Sequence, residues 1–247
     1  MRRNIEMREW SACLARLRES RGLILRDAEA FHEAATSLEY IGQIITGELR
    51  NGMGRYVNDL VELASSSATC TEDNSARLFE VVREARNMAV HEGAWARHLG
   101  SRLIDTFLIL EESIITKMKR IEDLMVRDPV VAEDWQMVSH VRRVLLANSF
   151  SQVPIFTGNA WRLISDAALV RFIKSSNTPP TRKEKLEIAI GEAIGEQKIK
   201  TTEAVCCAPD EDIDMLISRG IEQPVLVIEE IAGKQRLVGI VTPFDLL

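Results

Sequence analysis

A chain of 247 residues, 46% hydrophobic and 28% charged, has room for one or two domains with cores of ordinary composition. Its net charge of −6 gives no global pull toward nucleic acid, so DNA binding is not expected and RNA would need a local basic cleft. No stretch is long and apolar enough to span a membrane, and Met1-Arg2-Arg3-Asn4-Ile5-Glu6 lacks the apolar core of a secretory signal, so a cytoplasmic location is expected.

The apolar spacing is helical from Met7 to about Ile121. Trp10, Cys13, Leu14 and Leu17 mark a first short helix. Leu25, Ala28, Phe31, Ala35, Leu38, Ile41, Ile45 and Leu49 step by three or four and predict one long amphipathic helix. Asn51-Gly52-Met53-Gly54 is a break, and Val57, Leu60, Val61 and Ala64 make another short helix. The polar stretch Ser65–Ser75 reads as a loop, with Thr71, Asp73 or Asn74 as candidate N-caps. Leu78, Val81, Val82, Ala85 and Ala89 continue as a helix that Gly93 ends. A last helix takes in Leu99, Leu103, Phe107, Leu110, Ile114, Met118 and Ile121. Residues 1–118 therefore read as an antiparallel helical bundle. It is mildly acidic, with Arg83, Arg86, Arg97 and Arg102 as the local basic cluster.

Arg86-Asn87-Met88-Ala89-Val90-His91 places three polar groups at the end of a predicted helix. Asn87 and His91 are four residues apart and share a face, with Arg86 rotated by about 100°. A guanidinium can hold a phosphate with its planar fork. A neutral imidazole can take a proton from a 2′-hydroxyl or give one to a leaving 5′-oxygen. This is equipment for RNA cleavage without a metal. The alternative is a helix terminus whose Arg and His cap carbonyls or pair with Glu84 and Glu92. Arg26 and His32 fit a similar spacing, but without the Asn and without a helix stop after the His.

Residues 20–120, with this Arg-Asn-x-x-x-His near the end of a late helix, resemble the HEPN family (higher eukaryotes and prokaryotes nucleotide-binding). The resemblance implies a homodimer in which the motifs of two protomers face each other, and a toxin–antitoxin setting. It also implies roles: Arg86 stabilises the scissile phosphate, His91 is the acid and base, and Asn87 positions them.

From Asp128 onward the pattern changes to short β-branched runs, and it occurs twice. The first copy is Asp128-Pro129-Val130-Val131, a helical run Met137–Ala147, Gln152-Val153-Pro154-Ile155-Phe156, a turn, and Arg162-Leu163-Ile164-Ser165. The second is Ala204-Val205-Cys206-Cys207, then Ile213–Ser218, Gln223-Pro224-Val225-Leu226-Val227, a turn, and Leu237–Asp245. The polar run Ser175–Thr181 links them. The expected fold is thus a helical bundle at 1–118, followed at 119–247 by two βαββα modules, 119–177 and 186–247.

This second part resembles a tandem pair of CBS domains (named for cystathionine β-synthase), entered by Ile121-Glu122-Asp123-Leu124-Met125. In that family Gly-h-x-Thr-x-x-Asp closes a nucleotide pocket, matched here by Gly239, Ile240, Thr242 and Asp245. The resemblance implies AMP, ADP or ATP as a regulatory ligand. Gly239 would let another element approach the strand. Thr242 would meet phosphate at a helix start, Asp245 would accept the ribose hydroxyls, and Val225 and Ile240 would flank the purine. The alternative for Thr242 and Asp245 is an ordinary N-cap with a first-turn carboxylate. The first module departs from the pattern: Ser165 keeps the hydroxyl, Asp166 is displaced by two, and Ala168 stands where the carboxylate belongs.

Of four cysteines, Cys13, Cys70, Cys206 and Cys207, none is in a CxxC pair, and adjacent Cys206 and Cys207 cannot both point the same way from a strand; buried reduced thiols are the expected reading. The scattered His91, His98, His140 and His32 suggest no zinc site, and no catalytic cofactor is implied. Two functions fit. One is a metal-independent endoribonuclease gated by an adenine nucleotide. The other is a non-catalytic nucleotide sensor whose helical part dimerises or binds a partner.

Overall fold

The computed structural model describes residues 3–27, 30–50, 52–67, 72–89, 96–174 and 180–247, with the backbone alone at 31, 32, 34, 72, 73, 85–89 and 96–98. It divides into two compact units. The first comprises Met1–Leu124, Asp212–Ser218 and Phe244–Leu247; the second comprises Met125–Glu211 and Arg219–Pro243.

The first unit is helical. Helix α1 (Met7–Arg26) buries Cys13, Leu14, Leu17, Ser20 and Ile24, one stripe at three- and four-residue steps. It packs on α2 (Phe31–Thr46) and on α5 (Ala96–Ile115). Between them in sequence lie α3 (Val57–Ala64) and α4 (Glu72–Ala89), which pack together. Helix α5 is the central rod: Leu99, Leu103, Phe107, Leu110 and Ile114 are all fully buried. A short α6 (Ile121–Leu124) follows.

Two expected helices are each divided. The run Leu25–Leu49 breaks after Arg26, where Asp27 is extended and its N–H closes onto the Leu23 carbonyl at 2.8 Å. Leu25 belongs to α1 and is 66% exposed; Leu49 lies beyond α2 and is 84% exposed. This also puts Arg26 and His32 on different helices. The run expected to continue from Leu99 to Ile121 stops at Ile115, although Met118 and Ile121 are still buried. The reason is common to both. Two successive helices that face one core keep the three-or-four spacing across the break, so periodicity alone does not reveal it.

Helix α2 ends at Gly47, whose φ of +70° is the left-handed stop that glycine adopts at least cost. The turn beyond is tied down by Tyr56. Its ring is fully buried against Gly42, where any Cβ would overlap the ring. Its hydroxyl accepts the Arg50 N–H and reaches the carbonyl oxygen of Glu48 at 3.0 Å.

The second unit holds two sheets. One is β2 (Gln152–Thr157), β3 (Ala160–Ser165) and β4 (Thr202–Glu203), with Ala132 bridging β2 in parallel. The other has the order β1-β7-β6-β5, where β1 is Val126–Arg127, β5 Val205–Cys207, β6 Val225–Ile231 and β7 Lys234–Val241. Each sheet is built the same way. A segment runs parallel to the first strand of a hairpin, Ala132 to β2 and β5 to β6. The second hairpin strand is covered by a two-residue antiparallel strand from the other half of the sequence, β4 on β3 and β1 on β7. The hairpin turns also match, with positive φ at both central residues: Gly158 and Asn159 in one, Ala232 and Gly233 in the other.

Around the first sheet lie α7 (Val138–Asn148) and α8 (Asp166–Lys174), closing a core that includes Val141, Leu145, Ile155, Ile164 and Phe172. Two further helices, α9 (Arg182–Leu186) and α10 (Ile190–Gly195), stand where the sequence suggested only a linker and the start of the next module. Thr181 and Glu184 cap α9 reciprocally, an S/T-x-x-E signal visible in the sequence and missed there. Helix α11 (Ile213–Ser218) groups with the first unit, the Ile213 N–H bonding the Lys119 carbonyl at 2.9 Å.

The packing of Tyr56 on Gly42 is directly testable. Gly42→Ala should lower the stability of the folded chain by about 1–3 kcal/mol through overpacking, read as an earlier urea midpoint. A midpoint equal to wild type would show that the ring can move aside freely.

Candidate functional site

The sequence placed its two candidate sites at Arg86-Asn87-x-x-x-His91 and at Gly239–Asp245. Arg86 and Asn87 lie on α4, where the backbone alone is described, and His91 lies outside the described residues. The nuclease geometry is therefore not on view.

At the second, β7 ends at Val241 and the chain turns through Pro243–Leu246 as a single 3-10 turn. The expected helix start after Thr242 is only this four-residue turn, too short to carry a macrodipole. Gly239 sits opposite Arg127 of β1, and a Cβ there would collide with the Met125 side chain. The close approach expected of Gly239 is thus by Met125. Val225 is 2% exposed and belongs to the sheet core, while Ile240, paired with Leu226 and Val126, is half-buried. These four residues belong to the second unit, and Asp245 belongs to the first.

Asp245 is 7% exposed, and its carboxylate is ion-paired with Arg18 of α1, Nη1 to Oδ1 at 2.9 Å. The same guanidinium donates from Nη2 to the Asp245 main-chain oxygen at 3.0 Å and from Nη1 to the Leu124 carbonyl at 3.4 Å. Behind it stands Glu111 of α5, itself 5% exposed. Glu111 takes a bidentate pair from Arg21, at 2.9 and 3.0 Å, and lies 4.0 Å from Arg18 Nε. Two half-buried guanidinium groups and two buried carboxylates thus alternate along one line: Arg21, Glu111, Arg18, Asp245. Burial pushes the pKa of Arg18 below its ordinary value, against the pull of Asp245 and Glu111. The hydrogen bonds that Arg21 donates to the Glu111 carboxylate push the pKa of Arg21 up.

None of Arg18, Arg21 and Glu111 was singled out by sequence, although a signal existed. Arg18 follows Leu14 by four residues, and Glu111 follows Phe107 by four, so both charges sit on steps of a buried face. A charge on such a step requires a partner.

In the first module, the Ser165 hydroxyl accepts the Ala168 N–H at 3.1 Å and so caps α8; Ala168 is buried. His140, which had no evident partner in the sequence, has Arg143 at 3.0 Å from its Nδ1. The thiols are not all buried. Cys13 and Cys207 are, with burial pushing both thiols up to about 12, whereas Cys206 is exposed because adjacent strand residues face opposite ways. Cys70 lies outside the described residues. Among the described residues no three metal-ligating side chains gather, and no helix is long and apolar enough to cross a membrane.

No family model and no curated protein matches the sequence. The solved structures to which the chain is similar include CBS-domain proteins, over about half of it. One is a CBS-domain protein from Agrobacterium tumefaciens, 19% identical, covering 52% of this chain and 90% of that one, TM-score 0.37. Another is a CBS-domain protein of unknown function from Bacillus anthracis, 18% identical, covering 51% and 88%, TM-score 0.39. A third is CbpB in complex with c-di-AMP, 18% identical, covering 54% and 89%, TM-score 0.40. Likeness this weak assigns neither family nor ligand.

Removing the carboxylate of Asp245 leaves half-buried Arg18 with Glu111 only at long range. Asp245→Ala should therefore destabilise the protein by about 2–3 kcal/mol, somewhat under the cost of breaking a wholly buried pair. The double variant R18M/D245A should regain part of that loss. Urea unfolding followed by helix circular dichroism measures both. A loss under about 0.5 kcal/mol for D245A would mean that the pair behaves as an exposed one.

Proposed function

We propose that this protein senses an adenine nucleotide through a tandem CBS pair in its C-terminal half, with the helical part serving to dimerise or to bind a partner. The repetition within the second unit carries this reading. Two hairpins with the same turn geometry are each flanked by a parallel segment and by a short strand exchanged from the other half of the sequence. A tandem pair of βαββα modules is what the sequence resemblance implies.

In this reading Asp245 accepts the ribose 2′- and 3′-hydroxyls through its two oxygens, a pairing open to carboxylates and matched to a vicinal diol. Thr242 supplies a hydroxyl to phosphate, and half-buried Ile240 supplies an apolar wall to the purine. Val225 supports that wall from within the core, and Gly239 keeps β1 and Met125 close. The first module has Ala168 where the ribose carboxylate belongs, so the Thr242–Asp245 side is the stronger candidate.

The reading is tested by melting the full chain with AMP, ADP, ATP and, as a control, GTP. A bound ligand at a hundredfold its Kd adds about 2.7 kcal/mol, so at least one adenine nucleotide should raise Tm by several degrees while GTP does not. No shift with any adenine nucleotide at millimolar concentration ends the proposal.

The order of the two functions drawn from sequence is reversed here. The ribonuclease reading rests on Arg86, Asn87 and His91 as a sequence motif, with no side-chain geometry behind it. Its own test is independent of nucleotide binding. Labelled RNA in EDTA should be cleaved to cyclic-phosphate ends by the wild type and not by His91→Ala, and intact RNA with both would leave the sensor alone.

A further inference from the structure

Asp245 is both the proposed ribose acceptor and, in this structure, the partner of Arg18. We infer that Arg18 is a built-in competitor for the nucleotide: it must release the Asp245 carboxylate before a ribose can take it, so nucleotide binding loosens α1 from the C-terminal residues. This deepens the nucleotide-sensing proposal and rests on it.

The competition follows from the donor and acceptor inventory. A ribose diol engages both oxygens of a carboxylate, and Arg18 already holds Oδ1 at 2.9 Å. The guanidinium also grips the main-chain oxygen of the same residue at 3.0 Å, so it approaches Asp245 from two sides. A diol that takes both carboxylate oxygens meets this guanidinium at Oδ1, so the two compete for that oxygen.

The network also indicates which member leaves. Glu111 is satisfied by two short bonds from Arg21, at 2.9 and 3.0 Å, and its distance to Arg18 Nε is 4.0 Å. Withdrawal of Arg18 therefore leaves Glu111 fully paired, and leaves Asp245 to exchange its cation for the hydroxyl donors of a ribose. Withdrawal of Arg21 would leave Glu111 with only the long contact. Burial already works against the charged form of Arg18, the member whose side chain would return to water. An arginine carries a long apolar stem and reaches solvent by rotating its own torsions, and α1 then loses its tie to Asp245 and Leu124.

The consequence is linkage. If Arg18 and nucleotide compete for one carboxylate, each weakens the other by the same factor. Nucleotide then changes the exposure of α1 without touching it.

The test measures AMP binding by calorimetry to wild type, Arg18→Gln and Asp245→Asn. It adds hydrogen exchange of the α1 amides with and without AMP. R18Q should bind AMP about tenfold more tightly than wild type, and D245N at least tenfold more weakly. AMP should speed exchange near Arg18 in wild type and not in D245N. Should R18Q fail to fold by circular dichroism, Arg18→Lys takes its place, with a smaller gain of about threefold, since a point charge lacks the fork. Wild-type AMP affinity in the arginine variant, together with unchanged α1 exchange, overturns the competition and leaves nucleotide sensing intact. No AMP binding to wild type or to the arginine variant overturns both.

Discussion

An uncovered hairpin edge is the constraint on which the second unit depends. A lone two-stranded hairpin is marginal in water, and its outer strands present unpaired N–H and C=O groups. Here both hairpins are completed from outside. The parallel side is supplied by β5 or by Ala132, and the antiparallel side by β1 or β4, each only two residues long. Because β1 comes from before the first hairpin and β4 from between the two, neither half of the sequence can finish its own sheet. Gly239 serves the same end, since only a residue without a Cβ lets Met125 lie over β7 where β1 joins it.

The helical unit obeys a different rule. Its framework is apolar, with α5 burying a residue at every turn, but one line of four charges runs through it. A buried ion pair contributes little net stability, because desolvation offsets most of the attraction. What it does supply is placement. Arg18 holds Asp245 by both side chain and backbone, and so sets where the chain's last turn lies within that unit. Arg21 and Glu111 form a complete pair by themselves, which makes Arg18 the member of the line with alternatives.

Much of the architecture was legible from residue spacing. The helical half, α3, α7 and α11, and the two hairpins follow from the 3.6 and 2.0 periodicities, and the repeat is visible as a repeat. The misses have specific causes. The single helix expected over Leu25–Leu49 is two, because both face one core and the break at Asp27 leaves the spacing intact. Helices α9 and α10 are short, and their few apolar residues, Leu186, Ile190 and Ile194, give no sustained pattern. Cys206 was expected inside but lies outside, as strand alternation beside a buried Cys207 requires.

The sequence by itself determined the class of each half, the duplication, and Asp245 as a residue of interest, because these depend on local periodicity and on motif spacing along one strand and turn. Only the tertiary structure decided which strand completes which sheet, and that Asp245 is held by an arginine 227 positions away in sequence. Both are pairings between distant segments. Their energy depends on which groups lose water together, and that quantity exists only once the chain has folded.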